Sequence, residues 1–526
     1  MKATDVLVKC LEEEGVQYIF GIMGKETLDF IDSLSKSKQI QFVNVRHEQG
    51  AAFMADVYGR LSQKPGVCLA TLGPGATNLL TGIASAALDH SPVVAITGQA
   101  GFERQHKESH QYIQIVKMYE QVTKWSIQIK DSQSIPEIIR KAFRFATMEK
   151  PGPVLIELPE NLAAQMIPNS SIPAAPIPKS IPIIELLQET ASLINQSLKP
   201  FIIVGNGVCR EPMKDELRIF IDKLLAPVVH SFKAKGILPK NHPQNYYTFG
   251  FNERDEVLKG IEESDLLIVI GFDFVERLPK EWNKKKRPVI HIAAVPAEID
   301  EYYPLKMELV GNLEQTLQAL NKLEIFPRTW VPSENLKERI EQAYQLQEGI
   351  NESFSIISIL HKIEKLASER TIIISDVGAH KVSIARTYQP KQPNRLIMSN
   401  GLAAMGIALP GAIGAKLACP NAPVICITGD GGALMNFAEI ETATRLGLSF
   451  IIIILNDAKL KLEEEMMMKT FHNRYGTAFG NPDFMKLANS FHIKGLKPVN
   501  IGEFEKMLTE AQLKNELTLI EIQLDT

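Results

Sequence analysis

The chain has 526 residues, 45% hydrophobic and 22% charged, with a net charge of −4. That is the balance of a globular protein of three to four domains, and it offers no basic surface for nucleic acid or an anionic membrane. No uninterrupted apolar run reaches transmembrane length. Cys10, Cys68, Cys209, Cys419 and Cys426 show no paired spacing, so buried thiols in a reducing, cytoplasmic compartment are expected.

The Met1–Asp5 stretch leads straight into an amphipathic helix, so no signal peptide is expected. Over residues 1–165, apolar runs at 18–22, 40–45, 66–71, 92–97 and 153–157 read as strands. Helical patterns lie between them, notably at 48–60 and 77–88. Such alternation predicts a doubly wound parallel sheet. Residues 166–183, rich in Pro, Ser and Ala, read as a linker. A second α/β unit is expected over 184–330, with strands at 201–204, 228–230, 266–270 and 289–292. Its Gly205-Asn-Gly207 lacks the third spaced glycine of a nucleotide fingerprint and reads as a tight turn. A charged helical stretch at 331–351 leads to a third α/β unit at 352–526, with strands at 371–375, 395–399, 424–428, 450–455 and 518–523. The fold class is therefore α/β, with three parallel-sheet domains.

In the third unit, Gly429-Asp430-Gly431-Gly432 follows one buried strand and Asn456-Asp457 follows the next, with a helix expected at 436–446 between them. Two carboxylates thus stand at the C-terminal edge of a parallel sheet, where ligands of such folds gather. Glycines and a helix N-terminus admit a phosphate, and two Asp oxygens suit a hard cation such as Mg²⁺. The same tetrapeptide also makes an ordinary turn. Glu48 opens a helix after a buried strand, either as a charge complementing the helix dipole or as a partly buried acid. Leu72-Gly-Pro-Gly-Ala-Thr-Asn78 is a Gly-rich loop entering a helix.

Arg46-His-Glu-Gln-Gly-Ala-Ala-Phe-Met-Ala-Asp56, Gly73-Pro-Gly-Ala-Thr-Asn78 and Gly152-Pro-Val-Leu-Ile-Glu-Leu-Pro159 resemble the pyrimidine-binding domain of thiamine diphosphate enzymes. Ser375-Asp-Val-Gly-Ala-His380, Ser399-Asn-Gly-Leu-Ala-Ala-Met-Gly406 and the Gly-Asp-Gly and Asn-Asp pair resemble their diphosphate-binding domain. In order and extent the chain is most similar to the acetolactate synthase large-subunit group. The resemblance implies thiamine diphosphate and Mg²⁺ as cofactors. It implies Glu48 as the acid on the aminopyrimidine, with Gln111 and Gly73 near the reacting centre. Met405 would support the bent cofactor and the Ala403 carbonyl would hold its amino group. Val377, Gly378, His380, Gly429, Gly431 and Gly432 would line the diphosphate, and Asp430, Asp457 and the Lys459 carbonyl would bind the metal. The implied reaction decarboxylates pyruvate and joins the two-carbon unit to a second 2-oxo acid, giving 2-acetolactate. The implied partners are pyruvate, the second 2-oxo acid and further copies of the chain, in a homodimer or homotetramer with active sites between subunits.

Four departures bear on this. After Asp457 comes the polar Ala458-Lys-Leu-Lys-Leu-Glu-Glu-Glu-Met-Met-Met468, placing Glu463 where relatives carry an apolar residue and pyruvate decarboxylases a catalytic Glu. Glu463 is thus either a proton donor at the site or part of a charged lid helix facing water. Met466 stands where many relatives have Trp, and Ala379 replaces a common Gln. The central domain reads Gly271-Phe-Asp-Phe-Val-Glu276 and Trp282-Asn283 without a Met-His-Gly loop, so FAD is allowed for but not expected. Lys25 and Glu26 also replace a Gly-rich continuation. The competing readings are a non-oxidative 2-oxo acid decarboxylase, against which His110-Gln111 replaces a His-His pair, and a weakly active binding or regulatory subunit.

Overall fold

The computed structural model describes residues 1–524 apart from 170, 211–212, 214, 251–254, 334 and 347–353. Three six-stranded sheets follow one another along the chain, and every pairing within them is parallel. The first contains β1 (Tyr18–Gly21), β2 (Gln41–Asn44), β3 (Gly66–Ala70), β4 (Val93–Gln99), β5 (Trp125–Gln128) and β6 (Pro153–Pro159), in the order 2-1-3-4-6-5. The central sheet contains β7 (Pro200–Val204), β8 (Val228–Ser231), β9 (Asn245–Phe249), β10 (Leu266–Ile270), β11 (Val289–Ala293) and β12 (Leu305–Val310), in the order 12-11-10-7-8-9. The third contains β13 (Ile372–Ser375), β14 (Leu396–Met398), β15 (Val424–Gly429), β16 (Ile451–Asn456), β17 (Lys494–Leu496) and β18 (Thr518–Gln523), in the order 14-13-15-16-18-17. Each inner strand is a short run of Val, Ile and Leu because helices cover both its faces.

The first and third sheets share one apolar core, in which Ala51, Met54 and Ile83 meet Ile374, Ala412, Ile413 and Ile440. Helix Glu48–Ser62 and helix Ala408–Ala418 form this seam. They come close enough to touch backbone to backbone: a Cβ on Gly414 would stand 2.4 Å from the Met54 carbonyl oxygen. The outer faces carry separate cores, and the central sheet has its own on each face.

Some boundaries differ from the sequence reading. The helix expected at 436–446 spans Glu439–Arg445, and a separate helix, Asp430–Met435, precedes it, starting on the aspartate itself. Asn436 lies between them, its amide donating to the Gly406 carbonyl at 2.8 Å. The charged stretch of 331–351 holds helix Leu336–Ala343, and residues 347–351 lie outside the described residues. Gly205 to Gly207 forms a tight turn into a short 3₁₀ segment, Asn206–Cys209. All five cysteines are free. No described helix is long and apolar enough to cross a membrane.

Because the seam leaves no room for a methyl group, Gly414→Ala must part the two helices. The expected cost is ~1–3 kcal/mol, the range for overpacked cores, seen as a lower thermal unfolding midpoint. A midpoint equal to that of the unaltered chain would refute the tight seam.

Candidate active site

The residues selected from sequence fall into two clusters, one at the C-terminal strand edge of each outer domain. In the first domain, His47 caps the helix after β2, its Nδ1 accepting the Gln49 N–H at 3.1 Å. Glu48 is therefore the first helical residue. It is 7% exposed, and its Oε2 accepts a hydrogen bond from Asn78 Nδ2 at 3.0 Å. Asn78 belongs to helix Pro74–Leu88, whose N-cap is Gly73 at φ 57°. A Cβ on Gly73 would lie 2.8 Å from the Gln111 carbonyl oxygen and 2.9 Å from its Cβ. Only glycine combines that φ with that approach. Gln111 itself has φ 60°. The structure thus brings Gly73 against Gln111, and the next turn of the same helix against Glu48.

The second cluster uses the ends of three adjacent strands. Asp376, just past β13, is its hub: Oδ1 accepts the Val377 N–H at 2.7 Å and the Gly406 N–H at 2.8 Å, and Oδ2 accepts the Thr428 hydroxyl at 2.9 Å. One buried carboxylate thereby ties the Val377–His380 turn, the Ser399–Gly406 loop and the end of β15 together. Burial pushes the Asp376 carboxyl up, against the pull of these donors. Gly378, at φ 153°, caps helix Ala379–Thr387, and the His380 ring lies beside both Gly378 and Gly429. His380 Nε2 is buried without a hydrogen-bond partner. Burial, the largest influence, pulls its pKa down to about 4, so the imidazole is neutral at pH 7.

Asp430 follows β15 and Asp457 follows β16. Asp430 Oδ1 accepts the Gly431 N–H at 2.8 Å, and Oδ2 accepts the Ala458 N–H and the Asn481 amide, both at 2.7 Å. Asn481 also donates to Asn456 Oδ1 at 2.9 Å, and its own Oδ1 is buried without a partner. Burial first, then the charge of Asp430, pushes the Asp457 carboxyl up. Lys459 pairs its ammonium with Glu464 at 3.0 Å, and its backbone bridges to Ala478. Above Gly431 lie Met405 Cε and the Phe479 ring, 3.6 and 3.2 Å from where a Cβ would stand. Gly432 faces the Asp376 carboxylate. Ala403 holds φ 53° in the loop before Met405.

Glu463 lies on the helix that follows Lys459. Helix Lys461–Phe471 buries none of its side chains, and Glu463 is exposed on it. A cavity of about 1040 Å³ lies where the three domains meet, lined by Arg60, Asp89, Arg210 and Lys233 and by none of the site residues selected from sequence.

Sequence reasoning missed four polar residues: Asp376, Asn78, Asn481 and Glu439. Glu439, 1% exposed, accepts the Arg46 and His47 N–H groups at 3.0 and 3.1 Å and so binds the diphosphate-side helix to the turn before Glu48. Burial pushes its carboxyl up, opposed by the Thr442 hydroxyl and these amides.

Two clusters on paired α/β domains, one with a buried acid at a helix start and one with glycines and aspartates at strand ends, define a class. The thiamine pyrophosphate enzyme models match here in order: the N-terminal TPP binding domain over residues 1–118, the central domain over 187–320 and the C-terminal TPP binding domain over 376–522. The chain belongs to this thiamine pyrophosphate-binding family, and within it to the acetolactate synthase large subunits. It is 34% identical to a probable acetolactate synthase large subunit of Methanocaldococcus jannaschii, over 100% of this chain and 92% of the relative. It is 31% identical to the acetolactate synthase large subunit of Haemophilus influenzae, over 100% and 95%, and 29% identical to an acetolactate synthase of Bacillus subtilis, over 100% and 93%.

Asp376→Ala removes three hydrogen bonds at once and leaves the Val377 and Gly406 amides unpaired, at ~1–3 kcal/mol for each buried orphan. Thiamine diphosphate affinity, measured by calorimetry, is expected to fall about tenfold or more. Unchanged affinity would show that the carboxylate does not set the loops.

Proposed function

We propose that the chain is the catalytic subunit of an acetolactate synthase, taking two 2-oxo acids, pyruvate first, to 2-acetolactate and CO₂. The observation that carries this reading is the pairing of the two clusters in one chain of this family. Glu48 is buried with one oxygen held by Asn78, and Asp430 and Asp457 converge at a glycine-floored strand edge.

The site's own features fit the cofactor. His380 Nε2 and Asn481 Oδ1 are buried polar atoms without partners, and the His380 ring lies beside Gly378 and Gly429. When bound, thiamine diphosphate supplies an electron sink for the carbanion that loss of CO₂ leaves behind. Val377, Gly378, His380 and the glycines after Asp430 hold the diphosphate. Asp430, Asp457 and the Lys459 carbonyl hold Mg²⁺, whose double positive charge offsets the repulsion between the two carboxylates. Met405 and the Ala403 carbonyl orient the rings. Glu48 holds and returns a proton at Oε1, the oxygen that Asn78 leaves free. Gln111 and Gly73 face the reacting centre.

The active unit is at least a homodimer, with Glu48 of one copy serving the diphosphate cluster of another. Glu48 takes its hydrogen bond from Asn78 of its own domain, while helix Lys461–Phe471 leaves large apolar side chains in the open. Met466 is 62%, Phe471 67% and nearby Tyr475 84% exposed. A second copy laid on this face would cover it and bring Glu463 near the reaction.

Purified protein given pyruvate, thiamine diphosphate and Mg²⁺ is expected to form acetolactate as the main product, and chelation of the metal to abolish it. Acetaldehyde in place of acetolactate would overturn the reading and favour the decarboxylase. Glu48→Gln should still bind cofactor but lose ~10²–10⁴-fold in exchange of the cofactor's C2 proton, the range for a removed acid–base group. In Glu463→Val, a reduced acetaldehyde share would assign this residue to proton delivery; an unchanged share would place it on the outer face of the helix.

A further inference from the structure

The junction of the three domains is polar, and its centre is Asp89, the C-cap of helix Pro74–Leu88, with its side chain fully buried. Asp89 Oδ1 accepts Lys233 Nζ at 2.9 Å and Oδ2 accepts Arg60 Nη2 at 3.0 Å. The same carboxylate accepts the N–H groups of Asn400 at 3.2 Å and Gly401 at 3.3 Å. Burial raises the Asp89 pKa, but Lys233 and Arg60 outweigh it and keep the carboxyl ionised, well below the usual range.

These contacts fix the start of the Ser399–Gly406 loop, which carries Ala403 and Met405. Arg60 Nη1 donates to the Met398 carbonyl at 3.1 Å, and Asn400 Nδ2 to the Val275 carbonyl of the central domain at 3.0 Å. A Cβ on Gly401 would stand 2.3 Å from Leu88 Cβ, so the loop passes hard against the helix end. The loop's far end is pinned by Asp376 through the Gly406 N–H. Between the pins, Ala403 adopts φ 53°, which a residue with a Cβ holds only when its surroundings impose it.

Lys233 comes from the central domain, in the turn just after β8. The same turn sends Lys235 Nζ to the Ala385 carbonyl at 2.6 Å, at the end of the helix whose first turn holds His380. Phe232, just before Lys233, packs into the third domain's outer core. One short turn of the central domain therefore touches the supports of both cofactor-bearing segments.

We propose that Lys233, acting through Asp89, is a positioning residue for thiamine diphosphate: it sets the Ser399–Gly406 loop before the cofactor arrives. Without its charge, Asp89 turns toward Arg60, which it already shares with Asp56 at 2.7 and 3.0 Å, and loosens its hold on the Asn400 and Gly401 amides. This rests on the family's cofactor assignment to the loop and adds the central domain to it.

Lys233→Gln and Lys233→Arg separate positioning from bulk stability. Calorimetric titration of the full chain with thiamine diphosphate and Mg²⁺ is expected to show affinity about tenfold or more weaker in Lys233→Gln and within about threefold of the unaltered chain in Lys233→Arg. KM for pyruvate at saturating cofactor should stay within about twofold in both. Equal cofactor affinity in Lys233→Gln and the unaltered chain overturns the proposal, as does an Arg variant as weak as the Gln variant. If Lys233→Gln does not fold, hydrogen exchange on the cofactor-free unaltered chain decides. Protected Asn400 and Gly401 amides support a preset loop, and fast exchange that slows only on adding cofactor overturns it. Failure of the unaltered chain to bind thiamine diphosphate would sink the cofactor assignment and this proposal with it, whereas equal binding across the series sinks this proposal alone.

Discussion

The structure depends on the contact of two helix backbones, Glu48–Ser62 against Ala408–Ala418, at Gly414 and Met54. It turns the inner faces of two sheets into one core. Since packed interiors deform little, whatever is mounted on those helices and on the strands beneath them is held at fixed separation. Glu48 sits at the start of one helix. The Ser399–Gly406 loop runs into the start of the other. Glu439 adds a polar strut, accepting both amides that precede Glu48. A buried carboxyl with three donors in place is a satisfied group, so the strut holds the turn without a charged partner.

Within that frame, the diphosphate cluster is built by convergence. The crossover from β14 to β15 reverses the direction in which strands are added, which opens a crevice between β13 and β15. Turns from β13 and β15 meet there, and Asp376 joins them to the Ser399–Gly406 loop. Asp376 and Asp430 are both buried and both accept protein N–H groups, and Asp457 follows the neighbouring strand β16 at the same C-terminal end of the sheet.

Strands that are buried on both faces were legible from the sequence, and those at the rims were less so. Fourteen strands predicted from apolar runs correspond to observed ones, and the four that were not predicted, β5, β9, β12 and β17, all lie at sheet edges. An edge strand packs against fewer neighbours, so polar residues interrupt its run, as in Lys494–Leu496. The residues chosen for the site came from short motifs with fixed spacing. Two of their supports, Asn78 and Asp376, stood inside those motifs, but nothing in the sequence pairs Asn78 with Glu48 across 30 positions or Asn481 with Asp430 across 51. Only the fold makes those pairs neighbours. Gly429-Asp430 also shows where turn chemistry misleads: the glycines suggested a loop before a later helix, but Asp430 itself begins one.

The segment after Asp457 has a different physical character. Helix Lys461–Phe471 starts one residue after Leu460, whose N–H is bonded to the Thr477 carbonyl at 2.8 Å, so its base is anchored beside the aspartates. Yet none of its residues is fully buried. Isolated helices of this size are marginal in water and gain most of their stability from an apolar face pressed on something. Lys459, just before it, pairs with Glu464, and Leu462, Met466 and Phe471 are exposed apolar groups with free energy to gain from contact. On the proposed dimer that gain comes from the surface that brings the partner's Glu48 to this chain's diphosphate cluster. On that proposal the same burial would hold the subunits together and fix the polar residues of this helix, Glu463 among them.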